Sequence, residues 1–167
     1  MASTHACLIQ ASRFLLRQPL VLQRLPGMLR MGSTMPQSVT LNVVTPEDSV
    51  VSVSAVPGEF IMQALERADL SDFWDGGACG GSCSCSTCRI ILTDELYAKV
   101  PEPEENEIDM LESAAAQEES PEEQEDFLKN ARLACQVEVT SEMDGARLVL
   151  PEDTRNMLEV PLWMRER

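Results

Sequence analysis

The chain has 167 residues, 44% of them apolar, which is enough for one domain with a hydrophobic core. Its formal net charge of −15 disfavours binding to nucleic acid and to anionic membrane surfaces, and favours partners with a basic face. The charge is unevenly distributed, because residues 1–38 contain four arginines and no acidic residue, whereas all 28 Asp and Glu lie in residues 39–167.

The N-terminal segment is basic, and arginines interrupt its apolar residues throughout. No apolar run approaches the roughly 20 residues that a membrane-spanning helix needs. The recurring charges also differ from the single basic end of a secretory signal. We interpret residues 1–37 as a mitochondrial transit peptide that is expected to be cleaved, with a disordered basic tail as the alternative. A matrix location would make structural disulfides uncommon in the mature chain.

The mature chain has alternating apolar residues that predict five strands. These strands are predicted at 38–45, 50–56, 88–93, 135–140 and 146–151. The first two form a hairpin, and an amphipathic helix follows them at 59–70. The acidic stretch 101–130 is predicted to be partly helical. This order of elements predicts an α+β domain with one mixed sheet and one helix packed across it.

The stretch GGACGGSCSCSTC, residues 76–88, contains four cysteines and four glycines. A disulfide framework, a zinc site and an iron–sulfur cluster all need thiols this close together. Five cysteines remain once the transit peptide is removed, and an odd number disfavours a closed set of disulfides. The only histidine is His5, so a mixed Cys/His zinc site, Rieske-type ligation and His-dependent catalysis are excluded in the mature chain.

The cysteine spacing favours a [2Fe–2S] cluster over a Cys₄ zinc site. A zinc ribbon normally uses two Cys-x₂-Cys pairs, but this chain has one, and Cys135 stands alone. The arrangement Cys79-x₅-Cys85-x₂-Cys88, followed by Cys135, is close to that of plant-type ferredoxins. Glycines suit such a loop because they let backbone N–H groups point towards a negatively charged cluster. A zinc-bound scaffold without a redox role is the alternative.

The motif GACGGSCSCSTC, followed after an acidic helix by RLACQVEVTSEMDG, resembles the adrenodoxin-type [2Fe–2S] ferredoxins of mitochondria and bacteria. The five-residue gap between Cys79 and Cys85 is that subfamily's mark, and the resemblance covers residues 38–157. It implies an α+β domain of β-grasp fold with a cluster-binding loop near one end of the sheet. It also implies one cluster, with Cys79 and Cys85 holding the iron nearer the surface and Cys88 and Cys135 holding the inner iron.

Three features depart from the family pattern. Cys83 stands where the family usually has an apolar residue, and we interpret it as a small buried side chain. A substitute ligand or redox-active thiol is the alternative role for Cys83. Arg89 replaces a histidine that commonly links the cluster region to the rest of the fold. The gap before Cys135 is longer than usual, and the excess falls at 112–124, which is predicted to be a surface insertion.

The segment 101–126 contains twelve acidic residues and no Lys or Arg. It is either a solvated surface or a docking surface. Within it, ENEIDMLE at 105–112 resembles the family's acidic recognition helix. The acids that the resemblance assigns to a basic reductase are Glu105, Glu107, Asp109 and Glu112. Opposite charges speed an encounter and orient it without tight binding. The apolar residues Ile108, Met110 and Leu111 are expected to pack this helix onto the domain.

The tail at 158–167 ends in PLWMRER, which departs from the family pattern. Trp163 either packs against the domain or contacts a partner. The preceding TRN, at 154–156, resembles the tails of family members that serve iron–sulfur cluster assembly.

The resemblance implies a one-electron carrier of the mitochondrial matrix, an electron-transfer protein rather than an enzyme. An NADPH-dependent ferredoxin reductase would supply the electron. The iron–sulfur cluster assembly machinery would accept it, ahead of a cytochrome P450. We expect a monomer with no nucleic-acid partner and no membrane span. The alternative is a ferredoxin-fold structural subunit bound to a respiratory-chain complex.

Overall fold

The computed structural model describes residues 37–165 of the chain. Its strands are β1 (Val39–Val44), β2 (Val50–Ala55), β3 (Arg89–Leu92), β4 (Ala131–Leu133) and β5 (Arg147–Val149). Its helices are α1 (Ile61–Arg67), α2 (Asp94–Tyr97), α3 (Glu105–Ala115), α4 (Pro121–Leu128) and α5 (Leu162–Arg165). The predicted transit peptide lies, apart from its last residue, outside the described part of the chain. Within residues 37–165, no helix has the length and apolarity that crossing a membrane requires.

The strands of the described chain form one mixed sheet in the order β2-β1-β5-β3-β4. β1 and β2 are the predicted antiparallel hairpin. β5 lies parallel to β1, and β3 pairs antiparallel with both β5 and β4. Val39, Leu41 and Val43 of β1 are buried, because successive side chains of a strand point to opposite faces. The α+β class with one mixed sheet is therefore confirmed.

Helix α1 contributes the residues that its predicted periodicity places on one face. Ile61, Ala64 and Leu65 are buried, at the spacing of a single helical stripe. They belong to the same hydrophobic core as Leu41 and Val53 of the hairpin. The predicted packed helix is confirmed, although it is shorter than the predicted range.

The strand predicted at 135–140 is wrong, because the chain turns at 134–136 directly after β4. Val137 and Val139 are buried, as their alternation suggests. However, their backbone bonds the segment entering α1 and joins no strand of the sheet. Ile61 N–H donates to Val137 O at 2.9 Å, and Val139 N–H donates to Glu59 O at 2.7 Å. Alternation identifies burial on one side, but it does not identify the partner of the extended segment.

The acidic stretch is partly helical, as predicted, and forms α3 and α4. α4 begins with a capping box, in which Ser120 Oγ accepts from Glu123 N–H at 3.2 Å and Glu123 Oε2 accepts from Ser120 N–H at 2.9 Å. Pro121 occupies the first turn, where its missing N–H costs nothing. Ala114, Ala115 and Phe127 are buried. The predicted surface insertion therefore also contributes side chains to the core.

A buried ion pair fixes α3 to β4. Arg132 donates from Nε and Nη2 to the two carboxylate oxygens of Glu107, both at 2.9 Å. Glu107 Oε1 also accepts from Leu133 N–H at 2.7 Å, and Arg132 Nη1 donates to Pro101 O at 2.6 Å. Glu107 is only 1% exposed. Its predicted role as a docking residue is therefore wrong, since its charge is used inside the domain.

We expect Glu107→Ala to lower the free energy of unfolding by about 3–5 kcal/mol, because it leaves Arg132 buried without a counter-charge. Urea unfolding of the cluster-loaded protein, followed by circular dichroism, would measure the loss. Glu105→Ala is the matched control on the exposed side of the same helix, with an expected change within about 0.5 kcal/mol. Equal losses in the two variants would contradict a structural role for the ion pair.

Candidate metal centre

Two thiols meet because β3 and β4 are paired. Arg89 lies opposite Leu133 in this antiparallel ladder, so the residues just outside it are also adjacent. Ala134 N–H donates to Cys88 O at 2.9 Å. The sulfurs of Cys88 and Cys135 are consequently 3.4 Å apart, although the residues are 47 positions apart in sequence. The sheet register thus joins the loop cysteines to the distant fourth cysteine.

Cys79 and Cys85 form a second pair, since the Cys85 side chain donates a hydrogen bond to the Cys79 sulfur. Burial raises the pKa of the Cys79 thiol, but hydrogen bonds outweigh this and lower it to about 6. The donors are the backbone N–H groups of Ser84 and Gly81 and the side chains of Cys85 and Ser82. Several donors that converge on one sulfur favour a thiolate, the form that binds iron.

Cys135 is also surrounded by donors. Its pKa is lowered by the S–H group of Cys88 and further by Gln136, whose Nε2 lies 3.3 Å from the sulfur, against the opposing effect of burial. The backbone N–H of Cys83 donates to the same sulfur. The pKa of Cys88 is raised, because its proton is held between the two sulfurs and because the thiol is buried. Each thiol pair therefore includes one sulfur prepared to carry negative charge.

Two positions in the loop show why its backbone is unusual. Gly81 has φ 91° and Cys83 has φ 55°, and both lie in the left-handed region. Their N–H groups donate to Cys79 and Cys135 respectively. At Gly81 the conformation suits glycine, whereas at Cys83 a larger residue adopts it at some cost. The loop therefore directs backbone donors inward, as a negatively charged cluster requires.

The C-terminal segment braces the loop, a contact that the sequence reasoning missed. Ser86 Oγ donates to Arg155 O at 2.8 Å, and Met157 N–H donates to Cys85 O at 2.9 Å. Within the loop itself, Thr87 Oγ1 donates to Gly76 O at 2.7 Å and accepts from Ala78 N–H at 3.0 Å. The sequence singled out residues 154–156 (TRN) only because they resemble the tails of certain family members, and it did not predict their contact with the loop. Local periodicity carries no signal for such a long-range contact.

The site reaches the surface on one side. Cys85, Cys88 and Cys135 are buried, whereas Cys79 is half-buried. Cys83 is half-buried beside them, and its Sγ donates to Asn106 O of α3 at 3.5 Å. Burial raises the pKa of the Cys83 thiol to about 11, and the charges of Cys135 and Glu107 raise it further. Cys83 is thus a protonated thiol that joins the loop to α3.

Three of the four predicted docking acids lie on one exposed face of α3. Glu105, Asp109 and Glu112 are exposed and recur at the spacing of a helical face. Leu111 is buried on the other side and Met110 is half-buried, as predicted. Ile108 is 40% exposed, so its predicted packing role is wrong. It lies among the acids, since residues 105, 108 and 112 share a face.

Arg89, which stands where the family commonly has a histidine, links the end of the cysteine loop to α4. It directly follows Cys88 and is only 7% exposed. Its Nη1 donates to Phe127 O at 3.0 Å, and its guanidinium carbon lies 3.8 Å from the centre of the Phe127 ring. Burial lowers the pKa of Arg89, and the nearby carboxylates of Glu118 and Asp126 oppose this. The strand that follows the metal loop is therefore linked to α4.

Comparison with known proteins identifies the group that this site holds. Residues 44–140 match the family described as the 2Fe-2S iron-sulfur cluster binding domain. The chain belongs to the [2Fe–2S] ferredoxin family. It is of the adrenodoxin type and holds one [2Fe–2S] cluster. The two thiol pairs suit a two-iron cluster with four cysteine ligands, and the inward N–H groups suit its charge.

The ferredoxin is similar to curated proteins of the same type. It is 43% identical over 121 residues to the mitochondrial adrenodoxin homolog of Saccharomyces cerevisiae, covering 72% of this chain and 63% of that protein. It is 44% identical over 80 residues to mitochondrial ferredoxin-2 of Danio rerio, covering 48% and 36% respectively. The matches thus span less than two thirds of these relatives.

Solved structures agree with the predicted β-grasp ferredoxin fold. A reduced putidaredoxin variant from Pseudomonas putida superposes with a TM-score of 0.56 at 34% identity, covering 68% of this chain and 96% of that one. Putidaredoxin in its covalent complex with putidaredoxin reductase gives 0.56 at 33%, covering 68% and 99%. The fold predicted from the motif resemblance is confirmed.

The structure also bears on the two alternatives to a cluster, a disulfide framework and a zinc site. All five cysteines of the described chain are free thiols, including the close pair Cys88 and Cys135. Within residues 37–165, no three His, Cys, Asp or Glu side chains are arranged to hold a single metal ion. The family match and the pairing of the thiols favour the two-iron cluster over the zinc alternative.

We expect Cys79→Ser, Cys85→Ser, Cys88→Ser and Cys135→Ser each to abolish stable cluster binding, because each removes a sulfur that faces the site. Visible absorption and iron and sulfide content of the purified proteins would measure this. Cys83→Ser is the matched control, and it should keep the cluster because its Sγ contacts Asn106 O. A coloured Cys79→Ser protein beside a bleached Cys83→Ser protein would overturn the ligand assignment.

Proposed function

We propose that this ferredoxin is a one-electron carrier. The observation that carries the proposal is the position of the thiol site, which reaches the surface at Cys79 and is joined through Cys83 to the exposed acidic helix α3. A bound cluster would supply reversible one-electron chemistry. The chain's own residues would stabilise the negative charge of the cluster and its ligands, since N–H groups of Gly81, Cys83 and Ser84 donate to the Cys79 and Cys135 sulfurs. The ferredoxins among its relatives support electron transfer rather than catalysis.

We propose an NADPH-dependent ferredoxin reductase as the electron donor. Glu105, Asp109 and Glu112 form an acidic face suited to a basic partner, and such a pair associates quickly and separates readily. Ile108 adds an apolar contact at that face. One structural neighbour is a covalent complex of putidaredoxin with its reductase, which supports this partner class.

We propose the iron–sulfur cluster assembly machinery as the acceptor, ahead of a cytochrome P450, and the mitochondrial matrix as the location. The TRN segment at 154–156 supports this acceptor, and Arg155 O and Met157 N–H bond the loop at Ser86 and Cys85. An ISC-like [2Fe–2S] ferredoxin from Pseudomonas putida is a structural neighbour, at 26% identity and a TM-score of 0.50. Relatives from yeast, zebrafish and Arabidopsis thaliana are described as mitochondrial.

A second candidate is a structural subunit of a respiratory-chain complex. The observation that favours it is the exposed apolar end of the chain, where Leu162 is 72% and Trp163 is 67% exposed. Of the two roles predicted for Trp163, this exposure favours a partner contact. Migration with a large complex on a native gel of mitochondria would support the subunit role, whereas a free small protein would support the mobile carrier.

The first test of the carrier role is electron paramagnetic resonance of the purified protein before and after dithionite. We expect a silent oxidised form and a signal from a single unpaired electron on reduction. A colourless protein that contains zinc and gives no signal in either state would overturn the proposal.

We expect Asp109→Lys to lower the second-order rate of reduction by a ferredoxin reductase by about tenfold at low salt, because it reverses a charge on the docking face. Stopped-flow absorption at several ionic strengths would measure this rate, and the variant should show a weaker salt dependence. Glu142→Lys is the control, since it makes the same charge change at an exposed site on another part of the domain. The same decrease in both variants would contradict a localised docking face.

A further inference from the structure

The side-chain amide of Gln136 lies directly against the cysteine site. Gln136 Nε2 is 3.3 Å from Cys135 Sγ and 3.3 Å from Gly81 O. Gln136 and Gly81 are 55 positions apart in sequence, so the amide bridges the turn after β4 and the distant cysteine loop at 76–88. Gln136 is not one of the four predicted ligands, and it lies outside the docking face of α3.

The chemistry of its two neighbours fixes which end of the Gln136 amide faces the site. A primary amide has an oxygen that accepts hydrogen bonds and an NH₂ group with two donors. The carbonyl oxygen of Gly81 can only accept, and so can a cysteine sulfur that is a metal ligand. The opposite orientation would place Oε1 against two acceptors. One N–H of Gln136 therefore donates to Gly81 O, and the other donates to Cys135 Sγ.

The backbone of the turn at 134–136 is held by hydrogen bonds to two elements, so this side chain starts from a fixed position. Gln136 N–H donates to Leu133 O of β4 at 2.8 Å. Met62 N–H of α1 donates to Ala134 O at 2.9 Å. The amide is thus carried by a turn that the sheet and the packed helix both fix, which favours a donor with a defined direction.

Gly81 is the partner of the amide on the loop, and it lies close to Cys135. A Cβ placed on Gly81 would be 4.0 Å from Cys135 Cβ. Gly81 has the left-handed φ of 91° described above, and its N–H donates to the Cys79 sulfur. The Gln136 amide therefore donates to one predicted ligand directly and holds the residue that donates to another.

A hydrogen bond to a ligand sulfur favours the reduced state of an iron–sulfur cluster, because reduction adds negative charge to the cluster and its ligands. Such a bond is stronger where water is excluded. Cys135 is 4% exposed and Gln136 is half-buried, so this bond is partly shielded from water. The donors from Gly81, Cys83 and Ser84 belong to the backbone, whereas a substitution can remove the Gln136 amide and leave the backbone unchanged.

We propose that Gln136 is a positioning residue that raises the reduction potential of the cluster. Its amide donates to Cys135 Sγ, which stabilises the reduced state, and to Gly81 O, which holds the loop beside that sulfur. The proposal rests on the one-electron carrier function, because a potential matters only for a protein that alternates between two oxidation states. It assigns the setting of that potential to a residue outside the four cysteine ligands.

Two substitutions separate the donors of Gln136 from its size. Gln136→Met keeps an unbranched side chain of similar length and removes both donors. Gln136→Glu keeps the shape of the side chain but replaces the donors with acceptors and a negative charge. Gln124→Met and Gln124→Glu are the matched controls, because the half-buried Gln124 donates from Nε2 to Glu118 O at 3.3 Å in the acidic insertion. Electron paramagnetic resonance measures the reduced fraction of each cluster-loaded protein at solution potentials set by redox dyes.

We expect Gln136→Met to lower the ratio of reduced to oxidised protein about threefold at a given solution potential. This equals a decrease of about 28 mV, at about 59 mV per tenfold change for one electron. Gln136→Glu should lower the ratio at least about tenfold, since its charge also opposes reduction. Both Gln124 variants should change the ratio less than about 1.5-fold, because exposed charges are screened.

An unchanged ratio in Gln136→Met would overturn the proposal. Faster loss of the cluster without a change in the ratio would also overturn it, because Gln136 would then only clamp the loop. Equal decreases in Gln136→Glu and Gln124→Glu would mean that the potential responds to net charge alone, which again contradicts the proposal. Each of these results would leave the electron-carrier role in place, whereas an unaltered protein that takes up no electron would overturn both.

A measurement on the unaltered protein tests the same bond if a Gln136 variant fails to hold its cluster. The protein is labelled with ¹⁵N at glutamine side chains only, reduced, and examined by electron–nuclear double resonance. We expect a ¹⁵N coupling, since Gln136 is the glutamine of residues 37–165 whose Nε2 donates to a cysteine sulfur. Absence of this coupling in the reduced protein would overturn the proposal.

Discussion

The pairing of β3 with β4 is the constraint on which the site depends. It places Cys88 and Cys135, 47 positions apart in sequence, with their sulfurs 3.4 Å apart. Buried residues on both strands, including Ile90 and Leu133, specify the register. A shift by one residue would turn these side chains away from the core and would separate the two thiols. The metal site is therefore assembled by the hydrophobic core rather than by the loop alone.

Strand β4 also positions the acidic helix α3. Arg132 and the backbone N–H of Leu133, both in β4, bond the carboxylate of Glu107 in α3. A buried ion pair contributes little net stability, but each charge is satisfied only in this arrangement. Its main effect is to fix the face that α3 presents. Glu105, Asp109 and Glu112 remain exposed because Glu107 is held inside.

Two departures from the family pattern connect the cluster loop to the acidic helices. Cys83 donates its S–H to Asn106 O of α3, and Arg89 contacts the carbonyl and ring of Phe127 in α4. Cys83 lies two positions before the ligand candidate Cys85, and Arg89 directly follows the ligand candidate Cys88. The loop is thus linked to both acidic helices, and the C-terminal segment holds it from another side through Ser86 and Cys85. This ferredoxin carries its acidic insertion as a packed part of the domain.

The sequence by itself determined the family, the cluster type and the ligand candidates, because these depend on thiol spacing and on glycines in one short stretch. It also determined the hairpin, the packed helix and the helical character of the acidic stretch, since periodicity reports burial along a local element. The extended pairing at 137–139, the burial of Glu107 and the exposure of Ile108 were decided only by tertiary structure. In the first two cases the partner is distant in sequence: the segment entering α1 for Val137 and Val139, and β4 for Glu107. Ile108 is exposed because the opposite side of α3 packs onto the domain. The local sequence around a charged or apolar residue does not specify which distant group that residue will contact. Such contacts form only when the chain packs into its tertiary structure.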